Sequence, residues 1–198
     1  MTLRLNGSTS GYAEIDAPAN AGTTVLTLPT ANGTLDRLER AGNILQVVRA
    51  ETSANTSGSV AIPFDNTIPQ NTEGFEALTC TITPVSATSK LYIVSTMYAG
   101  EPSNLTDSLA AALFRDSIVN AFAVSMGILD NGALESGAPL YTSAYINSNS
   151  TASTTIKARI GGAHASAITL NIGTALSRTS PVYGGVYFSS ITIMEVAQ

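Results

Sequence analysis

One histidine and one cysteine limit the chemistry this chain can carry. His164 sits in Gly161-Gly162-Ala163-His164-Ala165-Ser166, which reads as a hairpin loop. A Ser-His-Asp triad would have to use it, and no Gly-x-Ser-x-Gly elbow accompanies it. Cys80 alternates with apolar residues along Leu78-Thr79-Cys80-Thr81-Ile82, so it reads as a small buried hydrophobe rather than a nucleophile. A zinc site needs more Cys and His than the chain has. No Asp-x-Asp-x-Asp pattern offers a calcium loop, and no glycine loop with Lys offers a phosphate cradle. Glu73 with Glu76, or Asp107 with Asp116, could be paired by folding. The chain has 14 acidic residues, enough to give such pairs by chance, so they carry no weight as glycosidase carboxylates. The expectation is a non-enzymatic protein with no catalytic residue, no metal and no cofactor.

Tyrosine is the residue type left with a binding chemistry, since sugar rings stack on aromatic faces that carry a polar tip. There are 7 Tyr and no Trp. Tyr141 and Tyr145 lie four apart and so share one face of a strand, and Tyr183 and Tyr187 have the same spacing. These four are candidates for a subunit interface or for a glycan contact, with packing in the sandwich or at an interface the ordinary reading.

Composition bounds the rest. The 198 residues are 44% hydrophobic and 12% charged, with a net charge of -5. The polar part is mostly short and neutral, with 25 Thr, 22 Ser and 13 Asn. Disorder requires the opposite balance. Nucleic-acid binding draws on Lys and Arg, and the 9 present are scattered. No stretch approaches the roughly 20 apolar residues of a membrane span. The first residues, MTLRLNGSTSGY, carry no apolar signal region, so synthesis in a cytoplasm without export is expected. A lone Cys80 excludes an intramolecular disulfide.

The positioning elements read as strands. Thr, Val, Ile and Tyr favour them, while Gly, Asn and Ser supply turns. Residues 1–34 suggest three short strands, at Leu3-Arg4-Leu5, Tyr12 to Ile15 and Thr23 to Leu28, with turns at Asn6-Gly7 and Asn32-Gly33. So small a sheet needs a partner surface. Residues 35–43 form a connector, either a short helix capped by Thr34 and stopped at Gly42 or an irregular linker. From Ile44 onward the spacing predicts strands at Ile44 to Arg49, Ser59 to Phe64, Leu78 to Ile82, Leu91 to Tyr98, Leu109 to Phe114, Ile118 to Ser125, Leu140 to Ile146, Thr154 to Ile160, Ala167 to Ile172 and Val186 to Val196. Leu105 to Phe114 could also be helical, and strand is preferred. Asp130-Asn131-Gly132 marks a further turn. Residues 44–198 therefore read as an all-β sandwich or barrel.

Two ordered sets of motifs carry a resemblance. The first is Leu5-Asn6-Gly7-Ser8-Thr9-Ser10-Gly11-Tyr12, then Ala17-Pro18-Ala19, Gly22-Thr23-Thr24, Leu26-Thr27-Leu28-Pro29 and Asn32-Gly33-Thr34. The second runs from Gly42-Asn43-Ile44-Leu45-Gln46-Val47-Val48 through Ile82-Thr83-Pro84-Val85-Ser86-Ala87-Thr88-Ser89-Lys90-Leu91 and Leu113-Phe114-Arg115-Asp116-Ser117 to Ile191-Thr192-Ile193-Met194-Glu195-Val196. Together they resemble virion structural proteins of tailed phages, especially marine and cyanobacterial ones. Leu35 to Ala41 departs from that pattern, in which a glycine-rich joint leads straight into the Leu-Gln-Val-Val strand. The resemblance implies a trimer of jelly-roll, tumour-necrosis-factor-like sandwiches with a small N-terminal β arm. It implies a capsid decoration or cement protein, or a short head fibre, located in the virion. The arm would dock on the major capsid protein or another virion protein through Leu3, Leu5, Tyr12, Ile15, Leu26 and Leu28. The alternative is a tail-fibre knob that binds host surface glycans.

Overall fold

Side chains that alternate between apolar and polar can bury one face of an extended strand and leave the other wet. That pattern runs through most of the chain. The computed structural model describes residues 3–16, 40–100, 108–128, 137–171 and 182–198. The chain divides into two units, Met1–Asp36 and Arg37–Gln198.

In the first unit, β1 (Leu3–Asn6) and β2 (Tyr12–Ile15) form an antiparallel hairpin. Its loop is closed by the Gly7 N–H, which donates to the Gly11 carbonyl at 3.0 Å. Pairing sets Leu3 opposite Ile15 and Leu5 opposite Ala13 on one face, with Arg4 opposite Glu14 and Asn6 opposite Tyr12 on the other. The strand expected at residues 23–28, the turn at Asn32-Gly33 and the start of the connector lie outside the described residues. The connector's described end is a turn in which the Asn43 N–H donates to the Arg40 carbonyl at 2.9 Å.

The second unit contains β3 (Ile44–Thr52), β4 (Ser57–Gly58), β5 (Phe75–Ile82), β6 (Lys90–Gly100), β7 (Ser108–Arg115), β8 (Ala123–Ile128), β9 (Gly137–Asn147), β10 (Thr154–Gly162), β11 (Ile168–Leu170) and β12 (Ser189–Val196). Eight of these build two antiparallel sheets, β3–β12–β6–β9 and β5–β10–β7–β8. The short β4 and β11 extend the first sheet beyond the end of β12, where Thr169 pairs with Gly100 and Ile168 with Gly58. Successive strands cross from sheet to sheet at β4–β5, β5–β6, β6–β7, β8–β9, β9–β10 and β10–β11, and all neighbours are antiparallel. This is the order of a jelly roll, two Greek keys folded into a sandwich.

The inner faces meet in one core. Leu91, Ile93 and Met97 of β6, Ile191 and Ile193 of β12 and Leu140 of β9 are buried against Cys80 and Ile82 of β5, Leu113 of β7 and Ile156 and Ile160 of β10. Each fully buried aliphatic side chain contributes about 1.5–3 kcal/mol by leaving water. The strand reading of Leu109 to Phe114 holds, and β7 alternates too poorly to give a wet face because its outer side is covered as well.

That cover corrects an expectation. Ser59 to Phe64 is not a strand. Residues 59–74 run irregularly across the outer face of the second sheet, where Ile62 packs on Ala112 and Phe114. The Ile62 N–H donates to the Gly162 carbonyl at 2.8 Å and the Gly74 N–H to the Ala61 carbonyl at 3.0 Å. Arg159 clamps the end of the segment, donating from Nε to the Glu73 carbonyl at 2.7 Å and from Nη2 to the Gly74 carbonyl at 2.6 Å. Gly161 is required by the close approach, since a Cβ there would lie 2.8 Å from the Val60 oxygen. Other boundaries also shift. The strand expected from Ile118 begins only at Ala123, because Val119 and Ala121 spend their backbone groups on Asn71 and Pro69. Of the strand expected at Ala167 to Ile172, β11 covers Ile168–Leu170 and Ile172 lies outside the described residues, and the strand expected from Val186 begins at Ser189. Residues 163–167 are a crossover from the second sheet to the first, not a hairpin loop. The turn at residues 130–132 lies outside the described residues.

Candidate interaction surface

Strand register assembles the surface with the most binding chemistry, the outer face of β3–β12–β6–β9. Val47 stands opposite Met194, Met194 opposite Tyr92, and Tyr92 opposite Tyr145, making an apolar row across four strands. The next rows add Thr192, Val94 and Ser143, then Ser190, Thr96 and Tyr141. Val47, Tyr92, Tyr141 and Tyr145 are exposed in the single chain. The charges on this face lie at its margins. Arg49 and Glu51, on the edge strand β3, pair with each other at 3.0 Å. Lys90, at the end of β6, places its ammonium 5.1 Å from the Tyr145 ring centre.

The four candidate tyrosines separate into two groups. Tyr145 meets Tyr92 edge-on at 6.3 Å, and its hydroxyl accepts from Gln198 Nε2 at 3.1 Å. Tyr141 belongs to the opposite end of β9, with Tyr187, Tyr183 and Tyr98. The Tyr98 and Tyr187 rings meet edge-on at 4.5 Å, and Tyr183 lies 6.4 Å from Tyr187. Burial, then the neighbouring Tyr98, Tyr141 and Tyr183 hydroxyls, push the Tyr187 phenol up to about 12. Burial and then Tyr183 raise Tyr98 as well. Tyr183 and Tyr187 are not on a strand. Tyr183 sits in a 3-10 turn, Val182–Gly185, at φ 51, with 77% of its surface exposed.

Sequence reasoning did not single out Tyr92, Tyr98 or Met194. Leu91 to Tyr98 looks like a continuous apolar run, which implies burial on both faces. The fold buries only Leu91, Ile93, Ser95 and Met97 and leaves the intervening side chains outside. A second apolar strip lies on β8, where Val124, Met126 and Ile128 share an outward face and are all exposed.

The arm residues also divide. Leu3, Leu5 and Ile15 share the apolar face of the hairpin. Tyr12 lies on the other face, under the Arg4 guanidinium at 3.6 Å, and Arg4 Nε reaches Glu14 at 2.8 Å. Leu26 and Leu28 lie outside the described residues.

The groups considered for catalysis are dispersed. His164 is in the β10–β11 crossover. Cys80 is buried, which pushes its thiol up and makes the thiolate scarce. Glu73 accepts from the Gln70 N–H at 2.9 Å, while Glu76 faces Lys157 at 3.5 Å and Arg159 at 3.8 Å. Asp107 lies outside the described residues, and Asp116 accepts from the Thr155 N–H at 2.7 Å. Among the described residues no cluster of three His, Cys, Asp or Glu could hold a metal, and no helix is long and apolar enough to cross a membrane.

By its strand order the protein is an all-β jelly-roll sandwich with an N-terminal hairpin. Among solved structures it is similar to the Eiger TNF from S. frugiperda, with a TM-score of 0.43 and 9% identity, over 80% of this chain and 95% of that one. No family model and no curated protein matches the chain.

Proposed function

We propose that this protein is a non-enzymatic structural component of a tailed-phage virion, a capsid decoration or cement protein or a short head fibre. It works as a homotrimer anchored to the particle through its N-terminal arm, residues 1–34. The observation that carries this reading is the outer face of β3–β12–β6–β9, a broad tyrosine-rich surface whose charges sit at its margins. A surface of that make-up resembles an interface core, which is depleted in charge and enriched in aromatic residues. Its complement is of a different kind, the narrow strip Val124, Met126 and Ile128 on β8. Contact between two unlike patches is heterologous, and such contacts close into rings when the rotation permits. The hairpin adds a second motive for docking, because a two-stranded sheet with Leu3, Leu5 and Ile15 exposed on one face is marginal alone. Arm and sandwich then have separate tasks.

Sedimentation of the full chain should give three copies of the 20.4 kDa protein. Deleting residues 1–34 should leave a soluble trimer that no longer sediments with phage particles. A stable monomer refutes the trimer, and particle binding by the truncated chain refutes the arm as anchor. Copy number separates the locations, since hundreds per particle indicate the capsid and a handful the tail.

A further inference from the structure

Ser95 lies on the inner face of β6, between Ile93 and Met97, and is fully buried. Its hydroxyl has no hydrogen-bond partner among the described residues. Buried hydroxyls are nearly always bonded, to protein or to ordered water. Register places Thr142 of β9 directly beside it, also buried. Thr142 Oγ1 meets Ser125 Oγ of β8 at 2.6 Å, across the seam where the edge strands of the two sheets come together. Ser125, itself half-buried, pairs with Ala111 of β7. These four residues make one layer of small side chains through the sandwich. The layers on either side are bulkier, with Met97, Leu140 and Leu109 in one and Ile93 and Leu113 in the other. The small layer ends on Ile191 of β12 and Ile160 of β10, both fully buried. A polar pocket of three hydroxyls is thus enclosed by aliphatic groups.

We infer that this layer binds an internal water molecule, held by the hydroxyls of Ser95, Thr142 and Ser125. The hydroxyl inventory points to water rather than another occupant. One hydroxyl of the Thr142–Ser125 pair donates to the other, which leaves one O–H of the pair and the Ser95 O–H still to donate. A water at the centre of the layer accepts from both and donates to the remaining oxygen of the pair. That gives it three bonds, the usual number for a buried water. An ion does not fit, because neither this layer nor the two beside it contains a charged side chain to offset its desolvation. An apolar occupant does not fit either, since it leaves the Ser95 hydroxyl unsatisfied. The half-buried Ser125 side of the layer is the route by which the water exchanges with solvent. Bound there, the water joins β6 of the first sheet to β8 of the second through hydroxyls alone. The inference does not rest on the virion assignment.

Equilibrium unfolding and oxygen-17 relaxation dispersion of the full chain test it. Ser95→Ala takes away one of the water's partners and should raise the unfolding equilibrium constant about tenfold. A hydroxyl that is simply unpaired gives the opposite sign, because removing it relieves a buried unsatisfied group and stabilises the fold. The dispersion counts waters held for longer than the tumbling time of the protein. Ser95→Ala and Thr142→Val should each lower that count by one per chain. Ser143→Ala, on the exposed outer face of β9, should leave the count unchanged. A Ser95→Ala variant as stable as wild type, or more stable, overturns the inference. So does a water count that stays the same in either Ser95→Ala or Thr142→Val, or one that falls equally in Ser143→Ala.

Discussion

Glu195 is a fully buried carboxylate on a central strand, and among the described residues no basic side chain bonds to it. Its stability comes from directed donors. Oε1 accepts from the Val85 and Ser86 N–H groups at 3.0 Å each and from Ser89 Oγ at 2.6 Å. Oε2 accepts from the Val85 N–H at 2.9 Å and Gln46 Nε2 at 2.6 Å. Burial works to raise its pKa, and the bonds from Gln46, Ser89, Val85 and Ser86 outweigh burial and hold it below the ordinary glutamate value. Glu195→Gln keeps the shape but turns one acceptor oxygen into a donor. If that nitrogen takes the place of Oε2, it faces the Gln46 NH₂ and the Val85 N–H. Flipping Gln46 to accept would break its bond to the Thr83 carbonyl at 2.7 Å. The loss is one charge-assisted acceptor plus a buried unmatched donor, about 2–4 kcal/mol. For a domain of this size about 1 kcal/mol corresponds to roughly 2–4 °C in Tm, so a fall of about 5–15 °C is expected near pH 7. The pH dependence follows from linkage. A carboxylate with a depressed folded pKa stabilises fully above its unfolded value of about 4.3, and that contribution is lost as pH falls through the folded value. The gap between wild type and Glu195→Gln in thermal circular dichroism should therefore narrow as pH drops below about 4. A variant melting within about 1 °C of wild type at neutral pH, or a gap that stays constant through the acid range, refutes the reasoning.

Other perturbations test other levels of the structure. Tyr92→Glu puts a charge in the middle of the apolar row of the first sheet; if the proposed trimer is built on that face, sedimentation should show it dissociating while circular dichroism stays β-rich. Ile62→Ala removes the main apolar contact between residues 59–74 and the second sheet, and chemical denaturation should read a loss of about 2–5 kcal/mol. Cys80 should react with a thiol reagent only on unfolding, because burial raises its thiol pKa and blocks access; rapid labelling of the native protein would contradict its place in the core.

Legibility in the sequence followed the range of the interactions. Leu78, Cys80 and Ile82 alternate with threonines, and the structure buries Cys80 and Ile82 while exposing Thr79 and Thr81. There a local pattern and the fold agree. Ser59 to Phe64 failed because its apolar residues serve a partner about 50 residues on, at Ala112 and Phe114, which makes no ladder and needs no alternation. Tyr183 and Tyr187 have the spacing of a shared strand face, but a turn with Tyr183 at positive φ brings them together instead. Glu195 could be read only as one polar residue in an apolar strand, since all four of its donor residues, Gln46, Val85, Ser86 and Ser89, lie more than 100 residues away in sequence.

The sequence by itself determined that the chain is all-β and where most strands lie, because backbone propensity and alternation act over a few residues. It also set the scarcity of charge that suits the surface to neutral contacts. Only the tertiary structure decided which residues those strands place side by side. Register aligned Val47, Met194, Tyr92 and Tyr145 into one row and set Tyr141 two rows away, beside Thr96 and Ser190. Register and sheet order depend on hydrogen bonds and packing between segments remote in the chain, and no local pattern encodes those neighbours.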